Sequence, residues 1–369
     1  MTNNYNFEDI LKQFDFNSVV VEIKSFGLGH INDTFIVNCV EQEGLAIKYI
    51  LQRINTNVFK TPENLMENIK NVTTYLSEKI ADRGGDADRE TLNLIKTLDG
   101  KVFYKSISGD YWRSYKFIEG AQTYQVVENL KHFYNAGKAI GNFEELLKDY
   151  PVEELFETIP DFHNTKKRYE AFVEAVTVDV ISRVRDVQAE IDFVLARGQD
   201  VSILVDLLKA GKLPLRVTHN DTKFNNVMID NHSGEGICVI DLDTIMPGLS
   251  LYDFGDSIRS GTNPAEEDEV NLSKVYMNLE LFEHFTKGFI EGTNNSLTAL
   301  ELDYLPFAAK LMTLECGIRF LTDHLNGDTY FKIHRENHNL DRARTQFKMV
   351  ADMEEKLGKM QAIVKKYSV

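Results

Sequence analysis

Apolar and polar residues alternate along residues 19–40, broken only around Gly27-Leu28-Gly29. A two-residue period turns one face of a strand inward and the other outward, so two strands joined by a glycine turn are predicted here, after a short helix at 7–14. Residues 41–44 read as the next turn and 46–54 as a third strand. Beyond Pro62 the period changes, because Leu65, Ile69, Val72 and Leu76 recur at helical spacing. Proline suits the first helical position, where its missing N–H would have no partner in any case. Further strand pairs are expected from 91–98, turning at Asp99-Gly100 into 101–106, and from 111–118 after Gly109-Asp110. A five-stranded antiparallel sheet with one helix is expected from this region.

From Tyr124 onward the helical period takes over, at 126–147, 164–178, 182–195 and 201–209. The change of pattern near residue 118 divides the chain into an N-terminal lobe, 1–118, and a C-terminal lobe, 119–369. Pro214 opens a short apolar strand at 215–218, and 226–229 pairs with 237–240 across the polar turn 230–236. From about Glu267 the chain reads as several helices. The fold class expected is α+β, a bilobal protein-kinase-like fold: a small sheet-bearing lobe on a larger, mainly helical one.

Composition narrows the chemistry. At 369 residues the chain exceeds the size at which one core keeps growing, and 43% hydrophobic content favours a compact molecule. A net charge of -16 repels nucleic-acid phosphates and makes DNA or RNA an unexpected partner. ATP remains compatible, since a few backbone amides, one or two cations and Mg2+ hold a triphosphate locally. Cys39, Cys238 and Cys316 lie far apart without C-x-x-C spacing. No disulfide framework or zinc site follows, and a reducing, cytoplasmic setting is expected. The N-terminus lacks a basic start and apolar core, and no stretch is apolar for about 18 residues. No export or membrane partner is expected.

The stretch Val217-Thr218-His219-Asn220-Asp221-Thr222-Lys223-Phe224-Asn225-Asn226, followed by Ile240-Asp241-Leu242-Asp243, carries the candidate chemistry. Phosphoryl transfer needs an in-line nucleophile and neutralised phosphate charge, which an Asp, an Asn five residues on and an Asp after the next hairpin supply. Asp221 is the candidate base for an attacking hydroxyl. Asn226 and Asp241 offer oxygens to Mg2+, with Asp243 a support or a ligand for a second ion. Lys223 reaches either the transferring phosphate or the Asp221 carboxylate, and His219 braces the loop. Asp-rich turns after strands are common on structural grounds alone; agreement of spacing, hairpin and Ile-Asp-Leu-Asp ending favours the catalytic reading.

Gly27, Gly29, Asn32 and Thr34 belong to a loop in the first hairpin, where kinases lay backbone amides over ATP phosphates. Leu45-Ala46-Ile47-Lys48 matches the V-A-I-K pattern of a phosphate-binding lysine, with Glu63 or Glu67 as its helix partner. Lys48 and Arg53 point to opposite faces of their strand, so only one of them faces a nucleotide. Lys48 as a solvated edge residue is the competing reading, and which of Lys48, Gln52 and Arg53 contacts the phosphates stays open.

These residues resemble those of the aminoglycoside phosphotransferase and choline kinase superfamily, and within it the N-acetylhexosamine 1-kinases. The resemblance rests on Gly29-His30-Ile31-Asn32-Asp33-Thr34, Tyr49-Ile50-Leu51-Gln52-Arg53-Ile54-Asn55, Tyr115-Lys116-Phe117-Ile118-Glu119-Gly120, the catalytic loop, Leu251-Tyr252-Asp253-Phe254-Gly255-Asp256, and residues 317–328. It implies an ATP- and Mg2+-dependent enzyme that phosphorylates the anomeric hydroxyl of N-acetylglucosamine or N-acetylgalactosamine, as a monomer or homodimer. It further implies adenine binding at a hinge near Tyr115, Phe117 and Glu119, and a sugar pocket lined by His30, Asp33, Phe254, Arg319 and Tyr330 beside Asp221. Asn32 stands where a protein kinase has its third glycine, and Leu-Asp follows Asp241 in place of Phe-Gly; both suit the small-molecule branch. Another alcohol kinase, acting on choline, homoserine or an aminoglycoside, and an inactive ATP-binding protein are the alternatives.

Overall fold

The structure is a computed structural model that describes residues 5–27, 31–41 and 44–368. Helix α1 (Phe7–Leu11) leads into β1 (Val19–Ser25), β2 (Asp33–Val40) and β3 (Ala46–Ile54). There follow α2 (Pro62–Asp82), the short α3 (Ala87–Glu90), β4 (Tyr104–Lys105) and β5 (Tyr111–Lys116). The five strands form one antiparallel sheet in the order β1-β2-β3-β5-β4, as the alternating pattern predicts. Residues 91–98 are not a strand of this sheet, contrary to expectation. They touch the sheet region through isolated bridges at Leu94 to Tyr115 and Thr97 to Phe14. The Ile95 N–H donates to the Ser114 carbonyl (2.8 Å) and the Lys116 N–H to the Asn93 carbonyl (2.9 Å), while the Asn93 amide donates to the carbonyls of Ala87 (3.1 Å) and Thr91 (3.0 Å) and ties the chain to α3.

Side chains sort by strand parity. Val37, Cys39, Tyr49, Leu51 and Trp112 pack with Ile10, Phe14 and Phe16 in a small core under the N-terminal segment. The other face carries Ile50, Tyr115 and the apolar stripe of α2, whose Leu65, Met66, Ile69, Val72 and Leu76 join a core running into the helical region.

That region opens with β6 (Ala121–Gln122), α4 (Leu130–Leu146), α5 (Thr165–Val178), α6 (Gln188–Leu195) and α7 (Ile203–Lys209). Asn129 and Asn164 cap α4 and α5, their side chains accepting from the N–H groups of Lys131 and Lys167. Next come β7 (Arg216–Thr218), β8 (Val227–Asp230), β9 (Gly236–Val239) and β10 (Met246–Gly248). β7 pairs with β10, and β8 lies between β6 and β9; β6 and β10 are too short to show a sequence period. Helices α8 (Ser250–Gly261), α9 (Leu279–Thr293), α10 (Ala299–Leu325) and α11 (His338–Tyr367) complete the chain. A capping box of Thr298 and Glu301 starts α10. Among the described residues no helix is long and apolar enough to cross a membrane.

Candidate active site

β7 delivers the chain to a turn in which Asn220 adopts a left-handed conformation, φ 64°. Asparagine tolerates this region because its short amide bonds locally. Here the Asn220 amide donates to the carbonyls of Thr218 (3.1 Å) and Thr244 (2.9 Å), and its oxygen accepts from the Thr218 hydroxyl (3.0 Å). Asp253 of α8 accepts from the backbone N–H groups of His219 (2.8 Å) and Asn220 (2.6 Å). Burial pushes the Asp253 carboxyl up to about 6, against the opposing pull of these N–H donors. His219 Nε2 donates to the Ile240 carbonyl (2.8 Å), while its Nδ1 accepts from the Asp221 N–H (3.2 Å). This donor and acceptor pattern assigns a neutral ring that ties the loop to the end of β9.

On this frame Asp221 Oδ1 pairs with Lys223 Nζ at 2.8 Å. Burial raises the Asp221 carboxyl, but Lys223 outweighs it and leaves its pKa below the ordinary value. Asp221 is thus held as a carboxylate. Lys223 is held as a cation, chiefly by Asp221. Asn226 Nδ2 donates to the Asp221 carbonyl at 2.7 Å, and the Ile240 N–H donates to the Asn226 carbonyl at 2.9 Å. The β8–β9 hairpin therefore sets Asn226 beside Asp241, itself left-handed at φ 62°. Burial, then Asp243 and Asp221, pushes the Asp241 carboxyl up to about 6.

Since the Asn226 nitrogen is committed, its Oδ1 remains for a cation. Among the described residues the Asp241 carboxylate has no hydrogen-bond or ion-pair partner. Two adjacent hard oxygens suit Mg2+, which takes few protein ligands and fills its shell with phosphate and water. Among the described residues no three His, Cys, Asp or Glu side chains form a metal site by themselves, so such an ion needs phosphate oxygens. Asp243 differs. Its carboxylate meets the Arg113 guanidinium on one oxygen and Asn32 Nδ2, at 2.6 Å, on the other. The predicted third ligand is already neutralised by a protein cation.

Arg113 comes from β5 and is 1% exposed. Its Nε donates to Gln52 Oε1 (3.0 Å), and Gln52 Nε2 donates to the Thr34 hydroxyl (3.1 Å). A polar ladder from Thr34 through Gln52 and Arg113 to Asp243 thus crosses the cleft. Sequence reasoning missed Arg113, although an arginine within Tyr111-Trp112-Arg113-Ser114-Tyr115 was a signal. A charge amid residues built for burial implies a buried partner.

The candidate cations of β3 have other partners. Lys48 pairs with Glu119 at 3.0 Å, its ammonium 5.3 Å from the Phe117 ring centroid. The expected helix partners do not meet it: Glu63 accepts from the Tyr111 hydroxyl and Glu67 is exposed. Arg53 pairs with Asp33 (2.7 Å) and Asp110 (3.2 Å). It shares a sheet face with Tyr49 and Leu51, opposite to Gln52 and Arg113, so Arg53 and Asp33 are set apart from the Asp221 group. The Phe117 N–H donates to the Lys48 carbonyl (3.0 Å), placing Phe117 and Glu119 where the chain leaves the sheet. Tyr115 is buried, and the Arg113 guanidinium sits 5.3 Å from its ring centroid. Gly27 is left-handed, φ 76°; Gly29 and His30 lie outside the described residues.

Of the remaining predicted residues, Phe254 is fully buried among Phe282, Phe285 and Phe289. It packs the core. Arg319 stands over the rings of Phe162, Tyr330 and Phe331, 5.5 to 6.0 Å from their centroids. It sits one turn along α10 from Glu315, which reaches the Asp221 loop through His163. No sequence period or motif marks His163 or Glu315.

An antiparallel sheet facing a carboxylate loop across a helical region defines a kinase-like α+β fold. Residues 22–272 match the family model described as phosphotransferase enzyme family (APH), and the chain belongs to that family. Among solved structures the chain is similar to an aminoglycoside phosphotransferase from Alicyclobacillus acidocaldarius, with TM-score 0.61 and 11% identity over 98% of this chain and 96% of that one. It is similar to amicoumacin kinase hAmiN, solved with AMP-PNP, Ca2+ and Ami, with TM-score 0.56 and 14% identity over 95% and 94%. A choline kinase from Cryptosporidium parvum matches with TM-score 0.54 and 14% identity over 95% and 93%. At these identities the likeness speaks for the fold.

Proposed function

We propose that the chain is an ATP-dependent small-molecule kinase that phosphorylates the anomeric hydroxyl of an N-acetylhexosamine. The observation that carries the kinase reading is the Asp221 carboxylate, held on one oxygen by Lys223 and flanked by the uncommitted oxygens of Asn226 and Asp241. Residues 1–118 form the nucleotide-binding lobe and 119–369 the catalytic and acceptor lobe. Asp221 orients the acceptor hydroxyl and takes its proton as the oxygen bonds to the γ-phosphorus and the bond to the departing ADP breaks. Lys223 holds Asp221 ionised and lies within reach of the transferred phosphoryl group. Asn226 and Asp241 hold Mg2+, which supplies charge neutralisation to the phosphates.

The acceptor class rests on resemblance and on the wall around Arg319. Among the described residues this guanidinium has no hydrogen-bond partner, and Arg168 beside it has a buried Nε without one. Two arginines with donors to spare favour an acceptor that presents a carbonyl or hydroxyl oxygen, such as an acetamido sugar. They repel the ammonium groups of choline, ethanolamine or an aminoglycoside.

The test measures ADP release with Mg-ATP over N-acetylglucosamine, N-acetylgalactosamine, choline, ethanolamine, homoserine and an aminoglycoside, with the phosphate position read by NMR. Turnover with an acetamido sugar and a 1-phosphate product is expected. Asp221→Asn should lower kcat by about 10²- to 10⁴-fold with nucleotide binding retained. Phosphorylation of an amino alcohol alone overturns the acceptor, activity surviving in Asp221→Asn overturns the mechanism, and nucleotide binding without any turnover marks an inactive binding protein.

A further inference from the structure

The peptide unit joining Asn220 to Asp221 is gripped at both ends. Its N–H, on Asp221, donates to His219 Nδ1 at 3.2 Å, and its carbonyl, on Asn220, accepts from His163 Nε2 at 2.9 Å. His163 reaches the loop from the segment before α5 and is 8% exposed. Its other nitrogen, Nδ1, lies 2.8 Å from Glu315 Oε1. Glu315 is 1% exposed, and its second oxygen accepts from the Thr165 hydroxyl at 2.5 Å.

Carbonyl and carboxylate oxygens only accept, so an imidazole placed between them meets both with N–H only when both nitrogens are protonated. We propose that His163 is a positioning residue for the reaction at Asp221: held as an imidazolium between Glu315 and the Asn220 carbonyl, it sets the peptide plane from which the Asp221 side chain projects. The proposal rests on the reading of Asp221 as the base. His219 and His163 have opposite duties on the same peptide, a neutral acceptor at one end and a charged donor at the other. An error of about 1 Å in a catalytic group costs on the order of 10²-fold in rate, which is the scale on which this clamp matters.

The surroundings favour the charge. Glu315 faces His163 from α10; Asp253, Asp256 and Tyr252 face it from α8, the Tyr252 ring centroid 5.2 Å away. Asp256 is paired with Arg259 at 2.7 Å, and Arg319 lies beyond Glu315. Burial opposes the imidazolium, but Glu315, the hydrogen bond to Asn220 and Asp256 outweigh it, so His163 titrates above its ordinary value. Burial likewise raises Glu315, and His163, Thr165 and Arg319 more than offset this. A pKa raised on folding stabilises fully below the unfolded value, about 6.5 for histidine, and that contribution is lost as pH rises through the folded value. The clamp therefore holds at the unfolded value of histidine and loosens as pH rises through the raised folded value.

The experiment has two arms. In the 15N-labelled full-length protein without substrate, NMR should show both His163 ring nitrogens protonated at pH 7, assigned by their loss in His163→Gln. A single ring N–H at that pH overturns the proposal. In the second arm kcat is followed against pH with the accepted sugar. Wild type should lose rate on an alkaline limb, and Glu315→Gln should move that limb acidward by about one to three pH units, the effect of an opposite charge at contact. KM for Mg-ATP should stay within about twofold. A limb that does not move, with only the melting temperature lowered, shows a merely structural pair and overturns the proposal. Should no acceptor turn over while both N–H signals are present, the acceptor reading fails and the clamp stands.

Discussion

The guanidinium of Arg113 and the carboxylate of Asp243 meet where water reaches neither, at 1% and 5% side-chain exposure. Breaking a buried pair from one side leaves the other charge uncompensated, which costs about 3–5 kcal/mol. Arg113→Met should lower the unfolding free energy measured in urea by that amount, moving the midpoint down. The exposed Lys48 and Glu119 pair offers a contrast, because such pairs contribute only about 0–1 kcal/mol, and Lys48→Met should leave the midpoint nearly unchanged. At this scale the catalytic loop was legible, since five residues of spacing and one hairpin bring Asp221, Asn226 and Asp241 together locally. The partners of those residues were not. Arg113 stands 130 positions before Asp243, and His163 belongs to no motif. Asp33 and Phe254 were singled out by resemblance and Arg53 by its place on β3, but strand parity turns Asp33 and Arg53 to the other face of the sheet and Phe254 packs among Phe282, Phe285 and Phe289.

Elements were read well where a period and a cap coincide. Asn164 precedes α5 and Pro62 opens α2, so both starts fall where local chemistry predicts. Residues 91–98 show the opposite case, in which the pairing with β5 stays at a single bridge at Leu94 and the Asn93 side chain bonds the carbonyls of Ala87 and Thr91. Close helix packing was not legible either. α4 and α9 approach so nearly that a Cβ at Gly141 would stand 2.4 Å from the Phe289 carbonyl oxygen, and one at Gly288 would stand 2.0 Å from that of Tyr134. Gly358, also helical, has nothing within 4 Å of its Cβ position. The same substitution should therefore act with opposite signs. Gly141→Ala should destabilise by about 1–3 kcal/mol or more through overpacking, and Gly358→Ala should stabilise by about 0.5–1 kcal/mol through reduced backbone entropy. Thermal or urea unfolding of the two variants side by side checks both.

Across the whole molecule the sheet region and the helical region are joined behind the cleft by polar groups as well as by the shared core. Asn68 of α2 is fully buried; its amide nitrogen donates to the carbonyls of Phe156 (2.8 Å) and Ile245 (3.0 Å), and its oxygen accepts from the Phe156 N–H (2.9 Å). Ile245 stands two residues after Asp243, so this asparagine and Arg113 anchor the same turn. Asn68→Ala leaves those backbone groups unsatisfied, each costing about 1–3 kcal/mol. Hydrogen exchange should accelerate at Phe156 and around residues 241–246, while amides in α10 and α11 keep their protection. Uniform acceleration across both regions would show that Asn68 acts through global stability alone.

What the sequence determined by itself was local: the two-residue and 3.6-residue periods, the caps, and a loop whose short spacing obliges three oxygen-bearing side chains to converge. Periodicity and spacing suffice there because the chain supplies the proximity. The tertiary structure alone decided which cation meets which carboxylate, which face of β3 looks into the cleft, and how the Asp221 peptide is held. Those outcomes depend on buried charges finding partners far along the chain, Asp243 for Arg113 and Glu315 for His163, the latter 152 residues away, and the strength of such pairs comes from exclusion of water, which exists only once the core has closed.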